Sequence, residues 1–134
     1  MSGLYGLARA AFLGGDIAWD TDDIRCVLVD TNDYTVNIDV DEFLDDVPAG
    51  ARVATSDALT SKAVTLGVAD AGDVVLNSVT GDESEAIVIY VHTGADATAR
   101  LIAYIDTATG LPVTPNGGDI TIQWDNGANK IFKL

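Results

Sequence analysis

The apolar positions change period along the chain. Leu4, Leu7, Ala8, Ala11 and Phe12 recur at the i, i+3, i+4, i+7 and i+8 spacing of one helical face, which predicts a short helix over residues 1–13. Ser2 is placed to cap its start and Gly14–Gly15 to end it, while Gly3 and Gly6 each weaken it by up to about 1 kcal/mol relative to Ala. About three turns do not persist alone in water, so the helix must dock on something. From residue 24 onward the period is two. "IRCVLVD" sets Ile24, Cys26 and Leu28 on one face and Arg25, Val27 and Val29 on the other. Further strands are expected at 34–39, 52–56, 62–66, 73–77, 85–92, 100–106, 119–124 and 130–134, with a single helical turn around Phe43, Leu44 and Val47 closed by Pro48.

The separators are turn chemistry: "ADAGD", "TGDES", "TGAD", "PNGG" and "DNGAN". Nine short strands without crossover helices predict a mainly β fold, an antiparallel β-sandwich or jelly-roll-like barrel with a short N-terminal helix. "EAIVIYVH" and "RLIAYID" are apolar on both faces and read as a central hairpin, so Ile87, Ile89, Leu101, Ile102 and Tyr104 belong to the predicted core together with Ile120, Ile122 and Trp124. "TATGLPVTPNGG" is a long surface loop. In "GGDITIQWDNGANKIFKL" the turn is expected to return the last strand beside 119–124, with Phe132 and Leu134 on one face. The expected organisation is one domain, 1–134, in which 1–13 is a docking helix and 24–134 the sandwich.

Composition narrows the chemistry. The 134 residues suffice for a real core, and no apolar run is long enough to span a membrane. The N-terminal stretch lacks a cationic start and Arg9 interrupts its apolar part, so it is not read as a signal peptide. One cysteine excludes an internal disulfide. Acidic residues outnumber basic ones 21 to 7, a formal charge of −14, which argues against nucleic acid and against anionic membrane surfaces. The acids are 18 Asp and 3 Glu, a bias toward turns and caps rather than helix bodies. The charge serves solubility and resists self-association; the sharper alternatives are a salty medium or a partner with a basic face.

No catalytic constellation emerges. His92 ends an apolar strand, and Cys26 alternates with Ile24 and Leu28 as a buried thiol should. One His and one Cys cannot build the usual zinc sets, and nucleophile-elbow, phosphate-loop and dinucleotide motifs are absent. The acidic stretches 20–23 and 30–42 can gather oxygen ligands for calcium between loops, but the EF-hand pattern fails, because Tyr34 and Thr35 stand where a ligand and the glycine belong. The expectation is no enzyme, no cofactor and no metal requirement. Trp19, in "DIAWDTDD", reads as a core lid or a contact residue.

Taken whole, the chain resembles a group of small tailed-bacteriophage virion proteins. The resemblance is carried by the opening "LYGLARAAFLGG", then "IAWDTDDIRCVLVDTNDYT", and the closing "RLIAYIDTATGLPVTPNGGDITIQWDNGANKIFKL". It covers nearly the full length, departing in the longer "WDNGANKIF" turn and in acidity. These motifs are structural rather than catalytic. The resemblance implies a virion component, most like capsid decoration or cement proteins, that sits on the head exterior and is made in the host cytoplasm. Its implied partners are the major capsid protein and copies of itself as a homo-oligomer. A tail or head–tail joining component and a host- or carbohydrate-binding module are the alternatives. Leu4, Tyr5, Leu7, Phe12 and Trp19 are the expected contact residues.

Overall fold

The structure, a computed structural model, describes residues 2–134. Strand takes 31% of the chain and helix 11%, so the domain is mainly β, and its sheets are antiparallel in a sandwich-like arrangement. The strands are β1 (Gly3–Leu4), β2 (Ile24–Val29), β3 (Arg52–Thr55), β4 (Ala63–Thr65), β5 (Val68–Asp70), β6 (Val74–Leu76), β7 (Ala86–Val91), β8 (Leu101–Ile105), β9 (Ile120–Ile122) and β10 (Phe132–Lys133). One α-helix, α1, spans Gly6–Leu13, and 3-10 turns lie at Leu44–Asp46 and Ala49–Ala51.

The central sheet has five strands in the order β1-β8-β7-β2-β3. Its middle is the predicted hairpin: Ile87 faces Ile105, Val88 faces Tyr104 and Ile89 faces Ala103 across β7 and β8. β2 lies on the other side of β7, with Cys26 opposite Ile89 and Leu28 opposite Ile87. Both faces of β2 and β7 are almost wholly buried, as strands without a polar alternation must be. Leu101, Ile102, Tyr104, Ile122 and Trp124 join this core, and Ile120 is half-buried against it.

Two small sheets complete the fold, one of order β10-β5-β4 and one pairing β6 with β9. β5 falls in a stretch expected to be loop. Leu66 (φ 51°) and Gly67 (φ 78°) form the tight turn between β4 and β5, and two successive left-handed residues are what such a hairpin demands. Leu in place of the usual Asn or Asp hid the hairpin from the turn signals. The last strand also differs from expectation. β10 pairs with β5, Phe132 opposite Ala69, and not with the 119–124 strand. The Trp124 indole donates to the Gly72 carbonyl while Phe132 reaches Phe12 and Trp19, with ring centroids 5.8 and 5.2 Å apart. Those aromatic contacts carry the chain across to β5. Leu134 N then donates to the Gly67 carbonyl at 2.9 Å, so the C-terminal backbone is held.

Residues 34–39 are not a strand. The backbone turns at Asn37, whose N donates to Asp41 Oδ2 and whose carbonyl accepts from Val40 N and Asp41 N. The turn closed by Pro48 forms as expected. Asp46 Oδ2 accepts from Glu42 N and Phe43 N, and the Arg52 guanidinium holds the Leu44 and Val47 carbonyls. The loop 107–118 is pinned midway by reciprocal Val113–Ser84 backbone bonds.

Candidate functional site

The N-terminal segment was expected to supply a contact surface, and the structure corrects this. Leu4 lies in β1, opposite Ala103, and is buried; Met1 lies outside the described residues. The helix therefore begins at Gly6, and Ser2 does not cap it. The Ser2 hydroxyl is taken by Asp106, accepting from its backbone N at 3.0 Å. Tyr5 is fully buried, and its ring hydroxyl lies 2.8 Å from that of Tyr34. Ala8 and Ala11 face the core, Phe12 packs on Phe132, and Gly14–Gly15 end the helix as expected. Trp19 is a core lid: it is buried, stacks edge-on against Phe132, and donates its indole N–H to the Asp70 carbonyl. Of the five expected contact residues Leu4, Tyr5 and Trp19 are interior, Phe12 is half-buried, and Leu7 is exposed. The physical reason is that α1 finds its partner within its own domain. An eight-residue helix with an apolar stripe docks on the nearest apolar surface, and β1 ties it to β8 at once.

Exposed apolar side chains gather elsewhere. Val64 (55% exposed) lies on β4, Leu66 (92%) at the hairpin tip, and Leu134 beside that turn. A concavity of about 480 Å³ runs along this small sheet, lined by Ala63, Thr65, Leu66, Val68, Lys130 and Lys133 among others. β4 is an unpaired edge with no charge on its three residues. The lysines matter because cations are scarce. Arg25, Arg52 and Arg100 are paired with Asp23, Asp96 and Glu42 at 3.0, 2.8 and 3.3 Å, and Lys62 donates to the Asp22 carbonyl. Arg9 on α1, Lys130 and Lys133 have no carboxylate partner among the described residues, and the two lysines lie together. This partly apolar face carries two lysines against one acid, Asp70, in a chain where acids outnumber bases 21 to 7. Sequence reasoning missed it because its signal, an apolar side chain at a turn, is spatial rather than periodic.

The reactive side chains occupy quiet positions. Cys26 is buried, and burial pushes its thiol up to about 11, which leaves it protonated at neutral pH. His92 closes β7 half-exposed, its backbone N donating to the Asp23 carbonyl. Asp30, Asp33 and Asp82 place carboxylate oxygens within 4.8 Å of one another. Asp30 is 4% exposed, and its Oδ1 accepts from Asn32 N. Hard oxygen donors of this kind suit calcium, although three carboxylates fall short of its usual six to eight ligands. Two of the three come from the acidic stretch 30–42, and Asp82 comes from the "TGDES" turn. No helix among the described residues is long and apolar enough to cross a membrane. No protein-family model matches the chain, and no curated protein matches it.

Proposed function

We propose that this protein is a non-enzymatic structural component of a tailed-phage virion, a decoration or cement protein on the outside of the head that bridges subunits of the major capsid protein. The observation that carries the reading is the face formed by Leu66, Val68, Lys130 and Lys133, with Leu66 at its exposed tip, on an acidic β domain. A cement protein needs a stiff scaffold, one adhesive face, and an outer surface that keeps particles apart. The antiparallel sheets are the scaffold, the small-sheet face is the adhesive, and a charge of −14 gives repulsion. The resemblance to small phage virion proteins over nearly the full length supports the same reading.

The function needs neither cofactor nor metal, and DNA phosphates would repel this chain, so the packaged interior is the wrong side of the shell. Copies repeat with the lattice symmetry as a homo-oligomer or become one there, and many modest contacts add up through multivalency. A density map of the intact particle tests the location. Particles lacking the protein should assemble but burst at lower temperature or on dilution. If they are as robust as complete particles, or if the domain is found only in tails, the tail-component reading replaces this one.

A further inference from the structure

A concavity of about 970 Å³ lies between the β1–β8 edge of the central sheet and the segment from β9 to β10. Its size is that of a small-molecule site. Four charged residues line it, Asp73, Asp125, Lys130 and Lys133, so it is locally neutral (two acids against two bases) in a chain of charge −14. Gln123, Asn126 and Asn129 line it as well; all three are exposed, and their side-chain amides make no hydrogen bond among the described residues. Asp73 and Asp125, by contrast, are held in place, accepting from Trp124 N and Gly127 N. Half-buried Ile105, Ile131 and Phe132 give the groove apolar lining between these polar groups.

From this juxtaposition of unengaged amides, balanced charge and apolar lining, we infer that the groove binds a neutral polyhydroxylated chain, a glycan built of hexose or N-acetylhexosamine units. Each amide offers both a donor and an acceptor, which matches neighbouring hydroxyls that also do both. The C–H surfaces of a sugar ring suit the isoleucine and phenylalanine lining. An anionic ligand meets the repulsive field of the whole protein, and a cationic one meets Lys130 and Lys133 at the groove itself. A purely apolar ligand would strand the polar walls without partners. Asn129, Lys130 and Lys133 line both this groove and the small-sheet face, so the inference is tested on the isolated domain, where failure to bind a glycan leaves the docking reading untouched.

The test is an NMR titration of the ¹⁵N-labelled full chain with neutral gluco-, galacto- and N-acetylglucosamine oligosaccharides up to about 10 mM, the range in which weak sites saturate. Binding should shift the side-chain amide signals of Gln123, Asn126 and Asn129. The Asn126→Ala/Asn129→Ala double variant should bind at least about tenfold more weakly at unchanged melting temperature. Asn32→Ala, at an exposed amide outside the groove, should bind as wild type. The idea is overturned if none of the neutral chains moves these signals. It is equally overturned if an anionic heparin oligosaccharide binds more tightly than all of them, or if the double variant keeps full affinity.

Discussion

Tyr34 donates its hydroxyl proton to Asp41, with Oη 2.7 Å from Oδ2. That bond fixes the direction of the next one. Since Tyr34 has spent its only proton, the Tyr5 hydroxyl 2.8 Å away must be the donor to Tyr34. Asp41 Oδ2 also accepts from Asn37 N, so a chain of bonds runs from the start of α1 to the turn at residues 37–41. The polarity predicts an order of stabilities. Tyr34→Phe leaves the buried Tyr5 hydroxyl without an acceptor and should cost about 1–3 kcal/mol. Tyr5→Phe leaves Tyr34 bonded to Asp41 and should cost roughly 0.5–1.5 kcal/mol. The double variant should be no worse than Tyr34→Phe alone. Urea unfolding gives all three values, and the reverse order of the single variants would contradict the assigned proton positions.

High pH should unfold the protein from within. All four tyrosines (Tyr5, Tyr34, Tyr90 and Tyr104) have their ionisation raised above the ordinary 10.0, first of all by burial, and Tyr34 additionally by its hydrogen bond with Tyr5. Cys26 is raised from 9.0 to about 11. In each case the folded state holds its proton where the unfolded chain has lost it. Stability from these groups is complete below their unfolded values and declines as pH climbs through the folded ones. Denaturant midpoints should therefore begin to fall near pH 9 and fall faster beyond pH 10. Absorbance of tyrosinate should stay low through pH 10 and rise together with loss of structure. A rise at pH 10 with the fold intact would mean that the hydroxyls are open to solvent.

The N-terminal segment should prove indispensable to folding. Deleting residues 1–13 removes β1 from the edge of β8, the bond from Tyr5 N to the Ile102 carbonyl, and the buried surfaces of Leu4, Tyr5, Ala8 and Ala11. The truncated chain should lose its cooperative thermal transition by circular dichroism. A truncated domain that melts cooperatively would return the helix to the role of a separable docking arm.

The parts of this fold that were legible in the sequence are those whose burial leaves a periodic trace. β7 and β8 were readable because both their faces are apolar, β2 from its period of two, and the hairpin between β7 and β8 because "TGADATA" breaks the run. Cys26 and Trp124 were readable as core from their alternation with Ile and Leu. What escaped was set by partners distant in sequence. Tyr34, Val36 and Ile38 alternate like a strand, but their backbone bonds go to a turn and to Gly6 N, which donates to the Ile38 carbonyl. Phe132 chose β5 because Phe12 and Trp19 are there. The stripe of α1 was legible, but not which surface it would cover. Both candidate surfaces share this difficulty, since the segments that form them meet only in the folded chain.

Arg52 is expected to be irreplaceable by Lys. Its guanidinium reaches the Val47 and Leu44 carbonyls and the Asp96 carboxylate at once, tying the 3-10 turn to β3 and to the loop before β8. A lysine ammonium has three donors on one point and cannot span that fork. Arg52→Lys should destabilise the domain by about 1–3 kcal/mol in urea unfolding. A loss below about 0.5 kcal/mol would show that the carbonyls are satisfied by water.

Leu66 provides the sharpest test of the adhesive face. It sits at φ 51°, in the left-handed region, and is 92% exposed. A Leu pays a conformational cost of about 1 kcal/mol there, and it gains almost no burial in return. Asn tolerates that conformation, and Asn-Gly is the favoured pair for this turn. Leu66→Asn should therefore raise the stability of the isolated domain by up to about 1 kcal/mol. A leucine kept at a strained, solvent-facing tip is explained if its side chain is covered in the assembled particle. The same substitution should then weaken attachment to particles lacking the protein, and Lys133→Glu should weaken it further, with binding that falls as salt is raised. Stability and attachment are measured separately, by urea unfolding and by co-sedimentation with particles. If Leu66→Asn stabilises the domain and attaches as well as wild type, the hairpin tip is not the docking surface. If it destabilises the domain, the turn is not held in the left-handed conformation and Leu66 carries no strain that docking must offset.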